Sequence, residues 1–555
     1  MTTYEVKSDA SVARRGRSFT EEGQSTWEHD NAHLRKIGKK PVLKVSPITA
    51  QVAQRPRVRT AKTVSYKRNF GVLSIFGFSC TLLGTWEGLL GTFIGPLKNG
   101  GSGGTVYAFI FGWLGTAAIF VVLAPTAGGQ YHWAAMLAPV KFQKFLSYMT
   151  GRSTGWWAVI GWQTALASSA FLTGTMIQGA AVLGSSLYDS LPYQGTLIVW
   201  ATLLCALLVN FAGGRLLPRI ETVLLVVHVL GFFGIMITLT YMSDHKSKEE
   251  VFLQFENGGG FNSQGLSWFV GMTSCAFGFA GGDAAVHMSE EVAHASRVIP
   301  RALTLSVLVN GCLGFAMLVA VLFCAGNLEA ALNSRTGYPF MEIFYEATDS
   351  LSGSLFMCSI ILVIYCCSLM GLLAAASRQL WSFSRDKGVP GWYWWNQVSS
   401  SRGLPIHSIA LTVIISGALA LINIGSSVAL DDVVSMAVSG LYLSYLMVSI
   451  LLLYCRIKGN VSRFNDSEDE VVNVPGARLV WGTFHCPGIW GTSINVFAIL
   501  YIVVVLFFSF WPSEVHPSVE NMNWSVLGIG GTSMLAVVYY FAYARNTYVG
   551  PIVEV

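Results

Sequence analysis

Apolar stretches of about twenty residues follow one another from residue 70 to residue 544, with no polar insert long enough to make a soluble domain. A helix closes its own backbone hydrogen bonds and is therefore the element that such stretches form in lipid. Hydropathy windows predict twelve spans, at 70–97, 104–124, 154–183, 194–213, 219–242, 265–289, 302–325, 352–377, 407–425, 431–455, 489–511 and 524–544. With 53% hydrophobic and 12% charged residues, the apolar surface exceeds what a soluble fold of 555 residues could hide. The expectation is an all-α polytopic membrane protein with one membrane domain, 67–545, a disordered cytosolic tail, 1–66, and a short tail, 546–555.

Fifteen of the thirty-five Lys and Arg lie between Lys7 and Arg68, so the net charge of +5 belongs to one tail. It speaks for an anionic leaflet rather than a nucleic acid. Basic residues also gather on the connections that share a side with the amino terminus, which predicts a multi-pass protein with both termini cytosolic, in the plasma membrane. Most of the ten cysteines fall inside apolar runs and none forms a C-x-x-C pair, so neither a disulfide framework nor a metal site nor a cofactor is expected. No phosphate loop, H-E-x-x-H or nucleophile with a base is present, and the chain does not read as an enzyme. Pro339-Phe340-Met341-Glu342-Ile343-Phe344 reads as an amphipathic helix lying on the outer surface.

Two spans are interrupted by small residues and an acid: Gly84-Thr85-Trp86-Glu87-Gly88 in the first and Phe279-Ala280-Gly281-Gly282-Asp283 in the sixth. A break inside a bilayer frees backbone groups that lipid cannot satisfy, so a side chain, water or a bound solute must do so. Paired broken helices in matching halves point to a transporter's binding site. Division into five plus five spans puts Glu87 and Asp283 at corresponding places. Five is odd, so the halves run in opposite senses, as in an inverted repeat, with the last two spans outside it.

An ionised carboxylate at the centre of a span is costly, roughly 2.5 to 3.5 kcal/mol on insertion scales. Apart from Arg219 at the edge of the fifth, no Lys or Arg falls within the first eight windows, which leaves a cationic group on a solute, or a proton, as the natural partner of Glu87 and Asp283. Gly84, Gly88, Gly281 and Gly282 permit the unwinding, and helix ends restarting there could hold a carboxylate. Trp86 and Phe279 could face an ammonium group or pack in the core. His228 could titrate and couple transport to protons, or stay neutral and hydrogen-bonded. Glu290, Glu291 and Arg297, with Arg378 and Arg385 after the eighth window, could latch an inner gate, or be solvated helix ends.

The first break, Pro125-Thr126-Ala127-Gly128-Gly129-Gln130-Tyr131-His132-Trp133, His287-Met288-Ser289-Glu290-Glu291-Val292 and Ser377-Arg378-Gln379-Leu380-Trp381-Ser382-Phe383-Ser384-Arg385-Asp386 together resemble the amino acid–polyamine–organocation permeases. The likeness covers about residues 60 to 548 and is strongest to the fungal branch with choline and GABA permeases. It implies a twelve-helix inverted-repeat fold, a substrate held where the first and sixth helices unwind, with Gly84, Thr85, Trp86, Glu87, Phe279, Gly281 and Asp283 at the breaks, and uptake driven by protons. The expected function is proton-coupled uptake of a small cationic or zwitterionic amine by alternating access, with Phe279 closing over the site. One departure stands out: Ala124 runs directly into Pro125, where the family pattern carries several more residues, one of them acidic. An altered inner gate there would make a transport-impaired nutrient sensor the alternative.

Overall fold

The computed structural model describes residues 71–123, 137–139, 143–150, 155–212, 216–288, 292, 295–399, 403–425, 429–462, 479–481 and 484–548. Among them, eleven helices are long and apolar enough to cross a membrane. The sixth span is not one of the eleven because it comes in two pieces, Gln264–Phe277 and Ala284–His287. The protein is an all-α polytopic membrane protein. Its first span is Val72–Leu83 followed by Thr85–Gly91, and the others are Ile94–Leu123, Trp156–Gly184, Pro192–Ala212, Leu217–Met242, the broken sixth, Ala295–Cys324, Leu351–Arg385, Ile406–Leu419, Ala429–Lys458, Gly488–Ser509 and Ser525–Tyr539. The amino-terminal tail and the junction after Ala124 lie outside the described residues.

The packing repeats with a shift of five spans. The first span packs on the fifth and the seventh, the third on the fourth and the tenth. Five places on, the sixth packs on the tenth and the second, the eighth on the ninth and the fifth. The eleventh and twelfth spans pack on the tenth, outside this pattern. The first span is the most enclosed, with 72% of its window buried against 22% for the twelfth, so it runs through the centre and the twelfth through the periphery.

Two contacts show how closely the central helices approach. A Cβ built on Gly161 would lie 2.6 Å from Leu441 N, and one on Gly440 would lie 2.6 Å from Gly161 N, so the third and tenth spans touch backbone to backbone. Small residues are what permit such contact between helices in lipid. Inside the second span, Gly101 turns the chain with φ 70°, and a Cβ there would come within 2.8 Å of both Gln254 O and Glu256 N.

Some boundaries differ from the hydropathy windows. The eighth helix runs on to Arg385, because its basic side chains find partners close by: Arg378 donates through Nη1 to Ala374 O at 3.3 Å, and the Arg385 guanidinium lies 5.0 Å from the Trp381 ring centroid. The helix Pro339–Thr348 does not rest on the outer surface. Phe340, Met341, Ile343 and Phe344 are fully buried, and it packs on the eighth and fifth spans as part of the bundle.

Candidate functional site

Gly84 stops the first helix. With φ 43° and ψ 46° it adopts the left-handed conformation, its N–H donates to Cys80 O at 2.9 Å, and a new helix starts at Thr85. A residue with a side chain would resist that conformation by about 1–2 kcal/mol. Polar side chains of two other spans satisfy the exposed backbone. Asn310 of the seventh accepts from Thr85 N at 3.3 Å, while on the eighth Ser368 donates to Thr81 O at 3.1 Å and Tyr365 donates to Glu87 O at 3.2 Å. Protein thus supplies the partners that lipid lacks.

The sixth break closes on itself in tight turns. Phe279 N donates to Ala276 O at 3.2 Å, Ala280 N to Phe277 O at 2.8 Å, and Ala284 N to Gly281 O at 3.0 Å. Gly281 sits at φ 96°, which side-chain-bearing residues rarely adopt. The two breaks abut. A Cβ on Gly88 would be 3.5 Å from Gly278 Cα, one on Gly281 3.4 Å from Leu82 O, and one on Gly282 3.2 Å from Leu83 Cδ1.

Both acids are buried, Glu87 2% and Asp283 1% exposed, and each is held by the last span of its own half. Glu87 Oε1 shares a 2.6 Å hydrogen bond with His228 Nδ1 of the fifth span. Asp283 Oδ1 accepts from the Tyr445 hydroxyl of the tenth span at 2.6 Å, and His287 Nε2 stands 3.6 Å from Asp283 Oδ2. First span to fifth and sixth span to tenth are equivalent pairs under the fivefold shift. The sequence leaves Glu87 a solute or a proton as partner; the structure gives it His228, which had no place in that pairing because 141 residues separate the two.

Four buried polar atoms on or beside the first break have no hydrogen-bond partner among the described residues: Thr85 Oγ1, Trp86 Nε1, Glu87 Oε2 and His228 Nε2. Leaving one such atom unpaired costs about 1–3 kcal/mol. Together they offer donors and acceptors. The Trp86 ring itself packs toward the fifth span, with centroids 5.9 Å from His228 and 6.3 Å from Phe232.

Phe279, in the sixth break, is fully buried, with its ring centroid 5.0 Å from that of Phe109 and its ring in contact distance of Gly112 on the second span. Of the expected gate charges, Arg297 is exposed, Arg378 is buried against its own helix and Arg385 stacks on Trp381, whereas Glu290 and Glu291 lie outside the described residues. Sequence reasoning missed Asn310, Tyr365, Tyr445 and another buried acid, Glu221, which is 0% exposed in the fifth span. A lone amide such as Asn310 in an apolar run was the available signal.

A profile of the family described as "Amino acid permease" matches residues 70–532. The chain belongs to the amino acid permease family. Three relatives place this permease within it. A putative amino acid/polyamine transporter of Macrophomina phaseolina is 28% identical over 81% of this chain and 96% of its own length. The choline transporter of Saccharomyces cerevisiae is 29% identical over 86% and 82%, and the GABA-specific permease of the same yeast 25% identical over 87% and 83%. The permease thus resembles carriers of several amines along nearly their whole length.

Proposed function

We propose that the permease takes up a small amine, cationic or zwitterionic, by proton-coupled alternating access, with the solute bound where the two breaks meet. The observation that carries this reading is the grouping, on or beside the first break where it abuts the sixth, of four buried polar atoms without a hydrogen-bond partner among the described residues: Thr85 Oγ1, Trp86 Nε1, Glu87 Oε2 and His228 Nε2. Glu87 Oε2 is an acceptor for an ammonium, and the Thr85 hydroxyl and Trp86 N–H are donors for a carboxylate. That mixture favours an amine bearing a carboxylate, as in GABA or an α-amino acid, over choline, which has no carboxylate to receive them.

The Glu87–His228 pair would carry the coupled proton, because one hydrogen must lie between Oε1 and Nδ1 and the pair gains or loses charge with a second one. Asp283 would fix the sixth break through Tyr445, and Glu290, Glu291, Arg297, Arg378 and Arg385 would gate the inner side. The test is uptake of labelled choline, GABA and a set of α-amino acids into a transport-deficient yeast, with and without an inward proton gradient. One class is expected to accumulate, and only with the gradient. Accumulation indifferent to the gradient would refute the coupling, and binding without flux in proteoliposomes would make the protein a sensor.

A further inference from the structure

Glu221 lies in the second turn of the fifth span, wholly buried, away from both breaks' acids. Its Oε2 is 2.7 Å from Thr81 Oγ1, and its Oε1 has no hydrogen-bond partner among the described residues. Thr81 Oγ1 is also 2.9 Å from Gly77 O. A threonine hydroxyl has a single hydrogen. If it goes to the Gly77 carbonyl, as threonines in helices commonly arrange, the short contact with Glu221 is completed only by a hydrogen on the carboxyl.

The surroundings of Oε1 favour the same state. A Cβ built on Gly371 of the eighth span would lie 2.6 Å from this oxygen, 2.9 Å from Leu82 Cδ2 and 3.3 Å from Phe78 Cε2, so the oxygen faces hydrocarbon in room that only a glycine leaves. A bare carboxylate oxygen there has no donor among the described residues, and its charge is costly. Facing Glu221 from the eighth span, the titratable group is the Cys367 thiol. The first span presents Thr81, Phe78 and Leu82 and no charge. Two turns along its own helix is His228, engaged with Glu87.

Glu221 joins three spans, the first, the fifth and the eighth. Thr81 stands three residues before the Gly84 break, and its carbonyl accepts from Ser368 of the eighth span. We propose that Glu221 is a proton-binding site that locks Val72–Leu83 to the fifth and eighth spans when protonated and releases it when ionised. On loss of the proton, the carboxylate needs water, and the seam between the three spans must open to admit it.

The test needs no transported solute. In the reconstituted full-length protein, hydrogen–deuterium exchange of peptides covering 72–83 is followed from about pH 5 to about pH 10, corrected for the chemical exchange rate. In the wild type, exchange is expected to rise about tenfold through a one-proton transition, accompanied by loss of a protonated-carboxyl infrared band. Glu221→Gln should stay protected throughout and lack the band, while Glu221→Asp should keep a transition. A wild type without the transition, or Glu221→Gln with the same one, would overturn the proposal. Should Glu221→Gln fail to fold, the wild type and Glu221→Asp still decide it: a protected segment that loosens without loss of the carboxyl band refutes it.

Discussion

Glu87→Gln is expected to lower accumulation of the transported amine by about ten- to a hundredfold, the worth of a hydrogen bond to a charged group, roughly 1.5–3 kcal/mol. The amide has the shape of the carboxyl and still hydrogen-bonds His228 Nδ1, so the packing of Trp86 against His228 and Phe232 is kept. What is lost is the carboxylate acceptor at Oε2, which has no partner among the described residues, together with the proton that the pair with His228 would carry. The readout is initial uptake at equal surface expression, with gel-filtration profiles confirming the fold. Uptake equal to that of the wild type would remove Glu87 from the site.

Tyr445→Phe is expected to destabilise the protein by about 1–3 kcal/mol, because it strips a 2.6 Å donor from a carboxylate that is 1% exposed. Asp283→Asn in the same background should restore part of the loss, since a neutral amide suffers less without the hydroxyl than a carboxylate does. Thermal unfolding in detergent of both single variants and the double variant measures the coupling. Strictly additive losses would mean that the hydroxyl and the carboxylate do not act as a pair.

The spans were legible because apolar length alone reveals a membrane helix, whatever its neighbours. Both breaks were legible too, as glycines clustered with an acid, and the left-handed Gly84 and the φ 96° at Gly281 are the physical reason those glycines stand there. Helix ends were less so. Hydropathy stops at the first charges, yet Arg378 and Arg385 continue the eighth helix by turning to Ala374 O and Trp381. The partners of the acids were hidden for another reason. Nothing local links Glu87 to His228 or Asp283 to Tyr445; only the packing of the first span on the fifth and of the sixth on the tenth brings them together. Glu221 stands two residues after Arg219, so in sequence it resembles one more charge at a helix end, and only burial between three spans distinguishes it. Likewise the helix Pro339–Thr348 has the pattern of a surface element, and its burial depends on the fifth and eighth spans against which it packs.

The most direct measurement is a cryo-electron microscopy map of the permease reconstituted with a saturating concentration of the amine it accumulates. Solute density should lie between residues 84–88 and 279–283, within hydrogen-bond distance of Glu87. Density elsewhere in the bundle, with both breaks as tightly packed as before, would contradict the account.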